Sequence, residues 1–272
     1  MSSVAEALHK TASELLPAAG EEAAQQARLL VCHVLGLHPS ALAAQLHTVF
    51  PAQYQAALQA CIRRRLAREP LQYIVGEWEF MGLPFAVREG ALIPRQDTET
   101  LCEAVLAKVD GGRLLDLCCG TGCIGISLAV LGGFEVTLAD ISPACLKLAA
   151  QNAARHGVRA KVLRSDMFQA VGEGYDVICC NPPYIPAGEL AALQPEVQRE
   201  PKLALCGGED GLTYYRRIAA GYAAHLKPGG LLALEVGQGQ AGAVLRLLGG
   251  GETKKDVCGV ERVVLYVKGE GL

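Results

Sequence analysis

The chain has 272 residues, with 25 Lys and Arg against 28 Asp and Glu, a net charge of −3, and 51% hydrophobic but only 5% aromatic residues. That length suits one large domain plus a small one, and the Ala, Leu and Val content suits helices packed on a sheet. The acidic balance excludes a general electrostatic pull toward nucleic acid phosphates. Eleven cysteines include no C-x-x-C pair, and Cys118, Cys119, Cys179 and Cys180 sit in apolar runs. Reduced, buried thiols in a cytoplasmic protein are the expectation. No secretory leader and no apolar run of membrane-spanning length is read. Zinc held by Cys119 and Cys123 needs further ligands that the sequence does not supply, so no metal is expected.

In chain order, residues 1–72 carry apolar positions at helical spacing: Val4, Leu8 and Leu15, then Ala27, Leu30, Val31, Val34 and Leu35, then Leu58, Cys61, Ile62 and Leu66. This predicts a small bundle of four helices. The triplet Arg63-Arg64-Arg65 reads as its solvated face. Residues 73–96 form a linker whose Trp78, Phe80, Phe85 and Val87 alternate around Gly82, predicting a β-hairpin. Asp97-Thr98 reads as a helix cap, and 97–272 form the large domain. Strands are predicted at 113–117, 134–139, 160–165, 175–180 and 230–236, with helices at 99–108, 122–132, 143–155 and 211–226. A closing pair at 253–258 and 261–268 is predicted to be antiparallel. The fold class is therefore α/β, doubly wound and mostly parallel with seven strands, preceded by a helical bundle and a β-hairpin linker. Such sheets bind ligands beyond the carboxyl ends of their strands, so the loops there hold the candidate site.

The first sheet strand ends in Asp116-Leu117-Cys118-Cys119-Gly120-Thr121-Gly122, and Gly120, Gly122 and Gly125 match G-x-G-x-x-G. NAD binding is one reading of that pattern. Asp116 at the strand end favours a ligand with an ammonium group instead. Asp140, 20 residues beyond Gly120, is placed to accept both ribose hydroxyls, as in NAD and S-adenosylmethionine sites. Asp166 is placed to accept an adenine amino group, with Met167 or Phe168 against the ring face.

The fourth strand runs directly into Asn181-Pro182-Pro183-Tyr184. Two prolines and an aromatic ring make a stiff arrangement, useful where acceptors must be held in place. A nitrogen that shares its lone pair with a π system is a poor nucleophile. The Asn181 side-chain oxygen can take one of its N–H groups and the Pro182 carbonyl the other, orienting the lone pair toward a methyl–sulfonium axis, while Tyr184 stacks on the planar group. Proline brings no competing N–H. With a cationic methyl donor, positioning matters more than a strong base.

These residues resemble the HemK/PrmC family of release factor glutamine methyltransferases over nearly the whole length. The likeness is carried by the segment from Arg68 to Phe80, Gly82-Leu83-Pro84-Phe85, the segment from Leu92 to Glu99, the glycine loop, Asn181 to Ile185, Glu200-Pro201, Asp210-Gly211-Leu212 and Glu261-Arg262. The resemblance implies a Rossmann-like class I methyltransferase domain. It also implies N5-methylation of the glutamine in a Gly-Gly-Gln tripeptide of peptide chain release factors. S-adenosylmethionine would lie at Cys118 to Gly122, Asp140, Met167 and Asn181, with the helical part docking the release factor. Two positions depart from the pattern: Cys118 stands where some relatives carry glycine, which strains a positive φ, and Met167 where some carry an aromatic ring.

Arg95 is a candidate substrate contact, with a structural salt bridge the competing reading, and Glu200 and Glu235 are read as structural. The rival functions are a nucleic acid base methyltransferase using the same tetrapeptide and a non-catalytic release-factor-binding scaffold. No membrane or direct nucleic acid partner is expected, and the expected state is a monomer.

Overall fold

The computed structural model describes residues 2–269, and they divide into two compact units: 2–76 with 194–199, and 77–193 with 200–269. The first unit is helical: α1 (Val4–Ala19), α2 (Ala23–Leu35), α3 (Gln55–Leu66) and α4 (Leu71–Val75). Ser3 opens α1 with a capping box, its hydroxyl accepting the Glu6 N–H while the Glu6 carboxylate accepts that of Ser3. Leu15, Leu30, Val31, Leu58 and Ile62 fill the core. The helical part runs past residue 72, because Pro70 starts a last short helix that Gly76 ends at φ 79.

Arg65 corrects the reading of its triplet as a solvated face. It is 4% exposed, and its guanidinium donates to Gln26 Oε1 at 2.8 Å, to Glu196 Oε1 at 2.7 Å and to the Ala18 carbonyl at 3.2 Å. The reason is periodicity: Leu58, Cys61, Ile62 and Arg65 share one face of α3, whereas Arg63 and Arg64 are exposed. Among the described residues no single helix is long and apolar enough to cross a membrane. One bent pair, Val4–Leu35 with Pro39–Gln45, passes by length and composition, and its Leu15, Leu30, Val31 and Leu42 lie in this unit's core.

The second unit begins with the hairpin β1 (Glu77–Phe80) and β2 (Leu83–Ala86), turned by Met81 and Gly82 at positive φ. Then follow α5 (Glu99–Leu106), β3 (Gly112–Leu117), α6 (Cys123–Gly132), β4 (Phe134–Asp140), α7 (Pro143–Arg155), β5 (Lys161–Arg164) and β6 (Tyr175–Cys180). The chain continues through α8 (Lys202–Leu205), α9 (Thr213–Gly221), β7 (Leu226–Glu235), α10 (Ala241–Leu248), β8 (Glu252–Lys255) and β9 (Glu261–Val267). The seven-stranded sheet has the order β5-β4-β3-β6-β7-β9-β8, parallel from β5 to β7 and antiparallel at β9 and β8. Order reverses beside β3, so β3, β4 and β6 open their carboxyl ends at the switch point.

The helix predicted over 211–226 stops at Gly221, and β7 begins four residues earlier than its apolar run. Its opening residues, through Gly229-Gly230, lie beside a register shift between Tyr175 and Val177, which apolarity does not reveal. Helix α10 follows a Gly- and Gln-rich stretch and has no counterpart among the predicted elements. Thr98 opens α5 without a side-chain cap; its hydroxyl is used elsewhere.

Candidate active site

At the carboxyl ends of β3 and β4 lies a cavity of about 140 Å³. Its walls come from the end of β3 (Leu117) and the loop after it (Cys118 and Gly120), from Asp140 at the end of β4, from Asp166 and Met167, and from Asn181 and Pro183. These include seven of the residues singled out from the sequence: Cys118, Gly120, Asp140, Asp166, Met167, Asn181 and Pro183.

The loop after β3 takes its shape from left-handed backbone at Cys118 (φ 60), Gly120 (φ 54) and Gly122 (φ 79). Cys118 is the costly member, since a Cβ disfavours that conformation, and Met167 opposite it stands at φ 52. Their sulfur atoms are 3.9 Å apart. Asp140 ties the loop down: Oδ2 accepts the Gly120 N–H at 2.9 Å and Oδ1 that of Ser142 at 2.8 Å. Burial raises its pKa, and these N–H groups oppose the shift.

Asp116 is placed differently from the sequence expectation. It is 0% exposed and off the cavity wall, under the loop, with Oδ2 accepting the Gly125 N–H at 2.9 Å and Oδ1 lacking a partner among the described residues. Burial pushes its carboxyl up to about 7, with the Gly125 N–H working against it. A Cβ on Gly125 would sit 2.6 Å from Leu138 and 2.9 Å from the Asp116 Cβ, so only glycine lets α6 start this close to the sheet. Cys119, Thr121 and Gly122 also lie behind the wall; the Thr121 carbonyl accepts from Asn152, whose amide also holds the N–H and carbonyl of Ala86 in β2. Sequence reasoning misses Asn152, a buried polar residue on an apolar helix face.

Asp166 lines the cavity but is engaged by Arg217 at 2.7 Å, which also stacks over Tyr214, another wall residue. Of the two candidates for the ring face, Met167 lines the cavity, whereas Phe168 stacks on His225 at 4.7 Å. Adjacency to Asp140 is the signal for Ile141, Ser142 and Cys145. Gly90, Leu92 and Leu203 come from loops whose approach no local motif announces.

In the tetrapeptide, Asn181 donates through Nδ2 to Thr98 Oγ1 at 3.3 Å, and its Oδ1 meets no described donor. The Pro182 carbonyl also has no donor among the described residues. These two neighbouring residues therefore carry acceptors that meet no donor among the described residues. Tyr184 is held at both ends: its carbonyl accepts from Gln240 at 2.9 Å, and its hydroxyl donates to Glu235 Oε1 at 3.4 Å. Burial raises its pKa well above the usual phenol value, so it stays a neutral hydroxyl. Tyr184 and Pro182 do not line the cavity. Neither does Arg95, whose guanidinium pairs with the buried Glu200; that carboxylate also takes the Ile93 N–H at 3.0 Å. Among the described residues no group of three or more His, Cys, Asp or Glu side chains is placed to hold a metal ion.

Residues 6–76 match the family model of the PrmC N-terminal domain, and residues 96–197 that of the methyltransferase small domain. The chain is 45% identical to the release factor glutamine methyltransferase of Cereibacter sphaeroides, over 90% of this chain and 89% of that one. It is 44% identical to that of Rhodospirillum rubrum, over 95% and 83%. Among solved structures, a methyltransferase from Pyrococcus furiosus aligns with a TM-score of 0.54 at 17% identity, covering 79% of this chain and all of the other. A T. thermophilus 16S rRNA N2 G1207 methyltransferase, solved with AdoMet and guanosine, aligns with a TM-score of 0.53 at 21% identity, covering 71% of this chain and 49% of its own. At these identities the structures show a shared fold.

Proposed function

The chain belongs to the release factor glutamine methyltransferases, and on that premise we propose that it transfers a methyl group from S-adenosylmethionine to the side-chain N5 of the Gly-Gly-Gln glutamine in peptide chain release factors. The observation that carries this reading is that Asn181, in the wall of an acid-ended apolar cavity, and Pro182 next to it carry acceptor oxygens that meet no donor among the described residues.

The cavity fits the cofactor chemically. Each Asp140 oxygen has accepted one backbone N–H and keeps lone pairs for hydroxyl donors, while Leu117, Met167 and Tyr214 offer apolar surface to a ring. We assign cofactor contacts to Cys118, Gly120, Asp140, Asp166, Met167 and Asn181. The bound cofactor supplies an electrophilic methyl group on a cationic sulfur. The protein's own part is orientation: a primary amide offers two N–H donors, and two fixed acceptors hold it by both. Binding there favours pyramidalisation of the nitrogen and aims its lone pair at the methyl carbon. As the C–N bond forms, the methyl–sulfur pair would stay on sulfur and the nitrogen would give up one N–H proton to solvent. Tyr184 and the two prolines make the acceptors rigid, so little reorganisation accompanies the reaction.

The same reading places the enzyme in the cytoplasm as a monomer that acts on a protein and needs neither membrane nor nucleic acid. The test is mass spectrometry of a release factor after incubation with the enzyme and S-adenosylmethionine. One added methyl group on the Gly-Gly-Gln glutamine is the expected result. Labelled transfer to tRNA, rRNA or DNA in preference to release factor would sink the proposal, and cofactor binding without transfer to any substrate would favour a scaffold.

A further inference from the structure

Gln240 lies in the turn between β7 and α10, and both ends of its side-chain amide are engaged. Oε1 accepts the Gly237 N–H at 3.0 Å, and Nε2 donates to the Tyr184 carbonyl at 2.9 Å. The main chain holds the residue from which they reach. The Gln240 N–H returns to the Gly237 carbonyl at 3.0 Å, and the Gln240 carbonyl accepts the Ala243 and Val244 N–H groups that start α10. A backbone N–H only donates and a backbone carbonyl only accepts, so these two partners leave the side-chain amide a single orientation. Its NH2 end faces the tetrapeptide.

The space around this contact admits nothing else. A Cβ on Gly237 would stand 2.7 Å from Gln240 Oε1 and 3.0 Å from the Tyr184 ring. On Gly211 it would overlap the Tyr184 carbonyl oxygen and stand 2.5 Å from Gln240 Nε2, and on Gly207 it would stand 2.7 Å from the Tyr184 Cα. Three glycines thus let the donor and the acceptor meet.

At the tetrapeptide the contact acts on one peptide group. Gln240 holds the Tyr184 carbonyl, and the Leu205 carbonyl accepts the adjoining Ile185 N–H at 2.9 Å. A planar group gripped by both polar atoms cannot turn without breaking two hydrogen bonds. Ahead of it stand Pro182 and Pro183, whose ring-locked φ angles take up little motion. The other end of the tetrapeptide leaves β6, where Cys180 pairs in register with Leu117 and Leu234. A shift at Tyr184 is therefore passed back to the Pro182 carbonyl and Asn181. We propose that Gln240 is a positioning residue for methyl transfer, fixing through the Tyr184 carbonyl where the Asn181 and Pro182 acceptors stand. What those acceptors receive rests on the substrate reading above; the clamp itself does not.

Two variants test this. Gln240→Met keeps the reach of the side chain and removes both donor and acceptor. Gln240→Glu keeps the Gly237 bond and puts an oxygen against the Tyr184 carbonyl in place of the NH2 group. Both should lower kcat for release factor methylation about 10- to 100-fold, the size expected of misplaced reacting groups. The KM for release factor and the Kd for S-adenosylmethionine should stay within about threefold of wild type, because orientation and not binding is lost. The Tyr184 carbonyl carbon, followed by NMR in the enzyme without substrate, should move in both variants as its hydrogen bond is lost. Wild-type kcat in Gln240→Glu would mean that Gln240 only braces its own turn, and overturns the proposal. So does a Kd for S-adenosylmethionine that weakens in step with kcat, the mark of a general loss of the site. An unmoved Tyr184 resonance overturns it whether or not release factor is the substrate. Absence of methyl transfer by the wild type, with the resonance moved in both variants, removes the substrate reading and leaves the clamp in place.

Discussion

Asp140 and Gly120 are joined by a 2.9 Å hydrogen bond from the glycine N–H to Oδ2, so the carboxylate facing the cavity also fixes the loop that forms its wall. A change here acts twice, on the loop and on whatever the carboxylate receives. Asp140→Asn keeps the shape and turns one acceptor into a donor. Cofactor affinity should fall about 10- to 100-fold, as expected for loss of hydrogen bonds to a charged group. Titration calorimetry with S-adenosylmethionine measures it, and an unaltered Kd would count against the assigned ribose role.

Asn181→Ala separates binding from chemistry. It removes one of the two substrate acceptors and leaves Asp140 and Met167 in place. The expected loss in kcat is about 100-fold or greater, with cofactor Kd changed only a few-fold, because orientation rather than ground-state affinity is lost. Single-turnover methylation of a release factor reads the first quantity and calorimetry the second. Unchanged turnover would remove the proposed mechanism.

The sheet is legible in the sequence because buried parallel strands read as apolar runs, and the loops that follow such strands mark a site by position alone. Asp140, Met167 and Asn181 follow from that rule. Asp116 lies near a strand end like Asp140, yet it pairs in register with Leu138, two residues short of Asp140, where α6 covers it and its carboxylate takes the Gly125 N–H. Thr98 reads as part of a helix cap because its hydroxyl partner, Asn181, lies 83 positions away in the chain. Local pattern cannot show such a pairing. Glu200 reads as structural and Arg95 as a candidate substrate contact, and the two pair with each other across 105 positions.

The buried carboxylates give the protein an unusual pH dependence. The folded-state pKa of Asp116 is about 7, against an ordinary 3.8. Between those values the folded state binds more protons at this position than the unfolded state. Stability from this group is therefore fully present below the ordinary value of 3.8 and is lost as pH rises from there through about 7, opposite in sign to a salt-bridged aspartate. Glu235 contributes in the same direction. Asp116→Asn should flatten the decline by an amount on the order of a few kcal/mol, following the size of the shift. Urea denaturation at pH 5, 6, 7 and 8 measures it. An identical pH slope in the variant would mean that the carboxyl is not held neutral under the loop.

Arg65 provides a contrast within one triplet. Its guanidinium is buried and joins Gln26 of α2, the Ala18 carbonyl of α1 and Glu196, whereas Arg63, two residues earlier on α3, is exposed. Removing the Arg65 side chain strips donors from three partners at once and leaves Glu196 with Arg68 alone. Arg65→Ala should cost on the order of 3 kcal/mol, the scale for breaking a mostly buried charged pair. Arg63→Ala should stay within about 0.5 kcal/mol, as for most surface changes. Native-state hydrogen exchange at the amides of α1 to α3 reports the helical unit separately from the sheet. Equal protection in the two variants would restore the view of all three arginines as a solvated face. Faster exchange confined to Arg65→Ala would show that this arginine holds Gln194–Arg199 to the helices.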